Sequence, residues 1–157
     1  MDHKTPNTML NKNDLRIGSW IDGIQEGCYT QLENGSDIDI AQKEGLPIRI
    51  TDDMIEGIGF EMKEYEIMGV EESHKRFPAF YDGFNDEAVC QYYFMETSYH
   101  GEIELRKFDC DVIEIGIGNS RKNRITAQTI TRLCYFHQLQ NVMWDVFFLE
   151  IGLKEIK

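Results

Sequence analysis

Apolar positions near the start of the chain come in short bursts separated by glycine-bearing dipeptides. Leu15, Ile17 and the Trp20-Ile21 pair form the first burst, interrupted at Gly18; residues 28–32 form a second and residues 38–41 a third. Asp22-Gly23 and Asn34-Gly35 separate them, and such dipeptides supply the positive backbone angles that two-residue hairpins need. The pattern predicts three short antiparallel strands, a candidate small β lobe over residues 14–46. Residues 1–13 are polar and aperiodic and predict a flexible N-terminal tail ahead of a single domain over 14–157. Pro47 to Ile50 reads as an extended lead into a helix over 52–57. There Thr51 is the expected N-cap, and Asp52 and Asp53 favour the positive end of the helix dipole. Gly57 and Gly59 stop that helix.

Further on the period becomes two. Candidate strands cover 60–67, 89–97, 103–108 and 112–117, and in the last of these Ile113, Ile115 and Ile117 alternate with Glu114 and Gly116. That alternation predicts a sheet with one wet face. Residues 71–87 hold Phe77-Pro78, Asp82-Gly83 and Asn85-Asp86-Glu87 and predict a long loop. Residues 98–101 predict a turn, and residues 125–135 a Thr-rich strand. Phe136, Leu139, Val142, Met143, Val146 and Phe147 then follow a helical step, with Gln140 set among the polar positions. The longest expected helix is 137–149. The fold class expected is α+β: an antiparallel sheet, in one or two small lobes, with one short helix and a longer C-terminal helix.

Composition sharpens this picture. The 157 residues are 41% hydrophobic and 11% aromatic, enough to build a core. Twenty-eight acidic residues oppose 16 basic ones, a net charge of −12. Residues 1–118 carry 25 of the acids and 10 of the bases, whereas residues 119–157 carry 3 and 6. So acidic a chain repels phosphates, and binding to free nucleic acid is not expected. Cys28, Cys90, Cys110 and Cys134 are widely spaced in apolar or alternating stretches and are expected to be buried thiols. Without a signal-peptide layout or a long apolar run, the expected location is the cytoplasm, with no membrane contact.

Motifs for chemistry are weak. His3, His74, His100 and His137 are isolated from one another, and no metal site or cofactor is expected. Residues 116–122 lack phosphate-loop spacing and predict a hairpin turn. Paired carboxylates work as acid and base only when a cleft shifts one of them, and the pairs here occupy caps and loops. No catalytic residue is assigned. Two surface sets remain. The loop carboxylates Glu71, Glu72, Asp82, Asp86 and Glu87 can reach outward to a basic partner. Arg121, Lys122 and Arg124 form one basic hairpin tip that can grip an acidic surface or a nucleic acid held inside a partner complex. Plain solubility for the acids, and a solvated turn for the bases, are the competing explanations.

Three stretches in order carry a resemblance: Asn13 to Trp20 (NDLRIGSW), Pro47 to Thr51 (PIRIT) leading to Gly59-Phe60, and His137 to Asn141 (HQLQN). Together they resemble a group of small, mostly uncharacterised proteins of Bacteroidetes phages and prophages, with their LRIGN, PIPLT, GF and HQLQN pattern. Ser19 and Arg49 depart from it. The resemblance implies a mobile-element context and no catalytic residues. The function expected is a non-enzymatic accessory protein that binds a host protein or ribonucleoprotein complex with a basic surface, inhibiting nucleic-acid handling or defence in an anti-CRISPR-like manner. The alternatives are a small enzyme or nucleotide-handling domain with a cryptic site, and a minor virion component.

Overall fold

A computed structural model describes residues 10–69, 88–97, 101–108, 112–117 and 128–153, and backbone hydrogen bonding sorts these described residues into eleven short elements. They fall into two compact units: Met1–Met54 with Tyr135–Lys157, and the intervening Ile55–Cys134. The class is α+β, with antiparallel sheets and three α-helices. No helix among the described residues is long and apolar enough to cross a membrane.

The first unit begins with a 3-10 turn, Lys12–Asp14, and a hairpin of β1 (Trp20–Gln25) and β2 (Cys28–Gln31). Its turn is not Asp22-Gly23, as the dipeptide predicted, but Glu26-Gly27, with Gly27 at φ 78°. Asp22 instead exchanges two 2.8 Å backbone hydrogen bonds with Leu46, and Gly23 at φ 84° marks the point where the ladder slips. The expected third strand is a helix, α1 (Gly35–Glu44). Asn34 caps it: its Oδ1 accepts from the Asp37 N–H at 3.0 Å, and Asp37 Oδ2 accepts from the Asn34 and Glu33 N–H groups. The Asn-Gly pair therefore starts a helix rather than a hairpin. Alternation of Ile38 and Ile40 was misleading, because Ile40 is exposed while Ala41 is buried.

Leu10, Leu15, Ile21, Leu32 and Ala41 form the core of this unit, with Ile24 and Ile38 packed on it. Leu10 lies in the stretch expected to be a loose tail, yet it is buried here. Gly45 makes that closeness possible. A Cβ there would stand 2.6 Å from the Ala41 carbonyl, 2.7 Å from Leu10 Cδ1 and 2.8 Å from Ile21 Cδ1. The last helix, α3 (Phe136–Phe147), buries Phe136, Leu139, Gln140, Met143 and Phe147 on one face. Val146, expected in that stripe, is 37% exposed, and Gln140, expected outside it, is buried.

The helix α2 (Asp52–Gly57) starts as predicted, with the Met54 N–H donating to Thr51 Oγ1 at 3.2 Å. The second unit is a five-stranded antiparallel meander of β3 (Glu61–Met68), β4 (Ala88–Thr97), β5 (Gly101–Phe108), β6 (Ile113–Ile117) and β7 (Gln128–Leu133). The registers place Tyr93, Leu105 and Ile115 abreast on one face, and Phe94, Glu104 and Gly116 on the other. The wet face expected around Glu114 is not wet: Glu114 and Glu104 are buried. Tyr92, Phe94, Cys90, Phe108 and Val112 pack together on that same side. Charge has been drawn inside because neighbouring strands supply cations, as described below.

The helical stripe gives a sharp test. Leu139→Asp should cost about 3 kcal/mol or more of unfolding free energy, since it buries an unpaired charge. Val146→Asp, on the exposed flank, should cost less than about 1 kcal/mol. Urea unfolding of the two purified variants measures both.

Candidate functional site

The loop carboxylates Glu71, Glu72, Asp82, Asp86 and Glu87 and the basic set Arg121, Lys122 and Arg124 lie outside the described residues. So do residues 98–100 of the turn expected at 98–101, residues 118–122 of the turn expected at 116–122, and Cys110. Cys28, Cys90 and Cys134 are free thiols. Among the described residues, no group of three His, Cys, Asp or Glu is placed to hold a metal ion.

Within the first unit, a corner is built where the segment before β1 meets α3. Residues 16–19 make a tight turn: the Ser19 N–H donates to the Arg16 carbonyl at 3.0 Å, and the Arg16 N–H donates to Ser19 Oγ at 3.1 Å. The turn needs a positive φ at its third position, and Gly18 provides it at 98°. Gln140 locks the turn to the helix. Its Oε1 accepts from the Trp20 N–H at 2.9 Å, and its Nε2 donates to the Gly18 and Ile151 carbonyls at 2.9 and 3.0 Å. Asn141 Nδ2 donates to the Asp14 carbonyl at 2.7 Å. Arg16 reaches over from the turn, its Nη2 donating to the Gln140 carbonyl at 2.8 Å and its Nη1 to Asp145 Oδ1 at 3.2 Å.

A hollow of about 310 Å³ opens at this corner, lined by Arg16, Ile17, Gly18, Gln140, Trp144, Glu150 and Ile151. Large apolar side chains stand exposed around it: Ile17 is 63%, Trp144 45% and Phe148 69% exposed. Trp144 and Phe148 meet edge to face, with ring centroids 6.5 Å apart. Phe148 ends the helix in the left-handed region, at φ 55° and ψ 32°, a conformation glycine adopts freely and a bulky side chain does not. It is the only non-glycine residue among those described with positive φ. Exposed aromatics held beside a hollow at a backbone cost are the features of a contact surface.

His137 lies next to this lock and is buried, its ring stacked at 6.1 Å on Tyr135. Its Nδ1 has no hydrogen-bond partner. Burial pushes its pKa below the ordinary histidine value, with Asp14 pulling weakly the other way. A structural part is therefore sufficient for the His137 to Asn141 stretch, whose amides close backbone groups. Pro47 to Thr51 joins it through the Phe136 N–H, which donates to the Ile48 carbonyl at 2.9 Å, and through the bridge of Arg49 with Tyr135.

In the second unit a different cluster stands on the buried face of the sheet. Arg106 Nε lies 3.5 Å from Glu104 Oε2 and 3.8 Å from Glu114 Oε1, and Arg132 Nε donates to Glu114 Oε2 at 2.8 Å. Burial raises the pKa of Glu104, with Arg106 opposing and the carboxylates of Glu102 and Glu114 adding to the rise. Neither Glu104 oxygen has a hydrogen bond. The cross-strand pairing of Arg106 with Glu114 and of Glu114 with Arg132 ties three strands together.

Compared with protein-family models, curated proteins and solved structures, the chain has no match.

Sequence reasoning missed Gln140, though a signal was present. Gln140 falls four residues after Phe136 and three before Met143, on the stripe's own spacing. Trp144 and Phe148 share a helical step of four and lie off the core stripe, which marks an apolar pair facing outward.

Two measurements test the corner. Phe148→Gly should raise the unfolding free energy by up to about 1 kcal/mol, because relief of the left-handed strain outweighs an exposed ring contact. For His137 the sign runs opposite to that of a stabilised ion. A folded pKa below the unfolded value means the unfolded chain binds the extra proton, so stability present above about pH 6.5 is lost as pH falls below it. Between pH 7.5 and 5.5 the melting temperature of the native protein should therefore fall further than that of His137→Phe. Equal slopes in the two proteins would remove His137 as the cause.

Proposed function

We propose that this protein is a non-enzymatic binding factor that occupies a basic surface on a host protein or ribonucleoprotein complex and inhibits nucleic-acid handling or defence. The observation that carries the reading is the sign and placement of charge. The whole chain stands at −12, and the described part of the first unit has 11 carboxylates against 4 cations. Asp39, Glu44, Asp52 and Asp53 are exposed on α1 and α2, and none of them is spent inside the core. Such a surface imitates a run of phosphates and steers itself onto a basic groove. The phage-like sequence pattern supports a site of action in the cytoplasm of a bacterial host. The mode of inhibition is occupancy, so no cofactor is needed.

The loop carboxylates Glu71, Glu72, Asp82, Asp86 and Glu87 belong to this contact surface in the proposal, and Arg121, Lys122 and Arg124 are its competitor. Association with a partner isolated from a bacterial lysate should weaken steeply between 50 and 300 mM salt, on the order of a Debye-length change from 14 to 6 Å, roughly. Reversing Asp86 and Glu87 together should lower the association rate about tenfold, and more than reversing Glu155 does. Loss of binding on neutralising Arg121, Lys122 and Arg124, with the carboxylate variants unaffected, would assign the contact to the basic hairpin instead.

A further inference from the structure

We propose that the hollow beside Trp144 is a socket for a single arginine side chain presented by the partner's basic surface. The inference rests on the proposed function and gives that contact a defined anchor. Three observations choose the occupant. First, Glu150 lines the hollow with its carboxylate over Gly18, its Oε1 3.9 Å from where a Cβ would stand, and it forms no ion pair or hydrogen bond among the described residues. Second, the cation already present does not cancel it. Arg16 is held by Asp145 at 3.2 Å and by the Gln140 carbonyl at 2.8 Å, so Arg16, Asp145 and Glu150 together leave one negative charge at the mouth. Third, the exposed indole of Trp144 offers the aromatic face on which a guanidinium stacks.

Size and shape agree. About 310 Å³ is at the lower limit of ligand pockets, which run from roughly 300 to 1,000 Å³, so the hollow suits one side chain better than a cofactor. Ile17 flanks it as an apolar wall for the aliphatic stem of an arginine. The Gly18 carbonyl already accepts from Gln140 Nε2 and Gln31 Nε2, but the Ile151 carbonyl accepts from Gln140 Nε2 and keeps a second lone pair for an incoming guanidinium. Phe148 supports the indole edge to face, and its left-handed backbone is the strain kept to hold it there. An anion is disfavoured by Glu150 and by the net charge of −12. An arginine in a planar stack beside a carboxylate is also a known kind of binding hot spot.

The probe is a nine-residue peptide of alternating arginine and glycine, titrated into the full chain at low salt. Binding is followed by fluorescence anisotropy and by the indole N–H resonance of Trp144. The resonance should shift on binding, and Glu150→Gln and Trp144→Leu should each weaken the affinity about tenfold. Glu26→Gln, an equal loss of charge at the tip of the first hairpin, should weaken it less than twofold. Phe148→Gly should weaken it severalfold while the melting temperature holds or rises, a pair of results that damage to the fold cannot give. If the peptide binds but Glu150→Gln and Trp144→Leu behave like Glu26→Gln, the socket is wrong and the diffuse acidic surface stands. If the native protein does not bind the peptide at all, the socket and the acidic-surface reading both fall. A shift of the Trp144 resonance by inorganic phosphate, at concentrations where the peptide gives none, would also overturn the socket in favour of an anion site.

Discussion

One buried primary amide closes the first unit. Gln140 spends its oxygen on the Trp20 N–H and its nitrogen on the Gly18 and Ile151 carbonyls, so the turn before β1, more than 100 residues away in sequence, and the segment after α3 meet at one side chain. An amide is suited to this because it donates and accepts at once, and each backbone group it satisfies would otherwise be stranded at the end of a short strand. The helix that carries Gln140 is held in register by the apolar stripe around it, with Phe136, Leu139 and Met143 all buried. Packing and polar satisfaction therefore constrain the same face. The hollow with its exposed aromatics lies immediately beside that lock, and Gln140 is part of its lining.

The second unit solves a different problem. The middle of β5 and β6 is buried on both faces and has no place to send its charged residues, so Glu104, Arg106 and Glu114 remain inside. A buried ion pair contributes little net stability against an apolar substitute, but removing one member is costly because the survivor is left alone. Cross-strand pairing makes the arrangement specific: a slip of one residue in β6 would separate Glu114 from both Arg106 and Arg132. Charge here sets register more than it adds stability.

The strands of the meander, the short helix after Thr51 and the last helix were legible because each has a clear period and a clear stop. Asn34-Gly35 was not, since the same dipeptide serves a hairpin turn and a helix cap, and only the Asp37 carboxylate two residues on decides between them. Val146 and Gln140 changed places because a stripe drawn from hydrophobicity alone cannot tell an apolar flank from a polar residue on the true face. Glu114 was misassigned for a similar reason: alternation describes one strand, whereas burial depends on what lies beside it and above it. The corner at Trp144 needed the fold, as its two halves stand more than 120 residues apart in sequence. Its aromatic step was written in the helix; the turn that completes it was not.

The division of the chain has a consequence for the order of events at the ribosome. All strand pairings of the meander fall between Glu61 and Leu133, whereas the first unit takes residues from both sides of that stretch. During translation, the sheet is complete in sequence before α3 leaves the exit tunnel. Until then the hairpin and α1 wait with Trp20 and Gly18 unclosed, for many seconds at ordinary synthesis rates of about 5–20 residues per second. Trp20, which meets Gln140 and the segment at Gly152, is exposed to chaperones through that interval, and the arrival of one glutamine ends it.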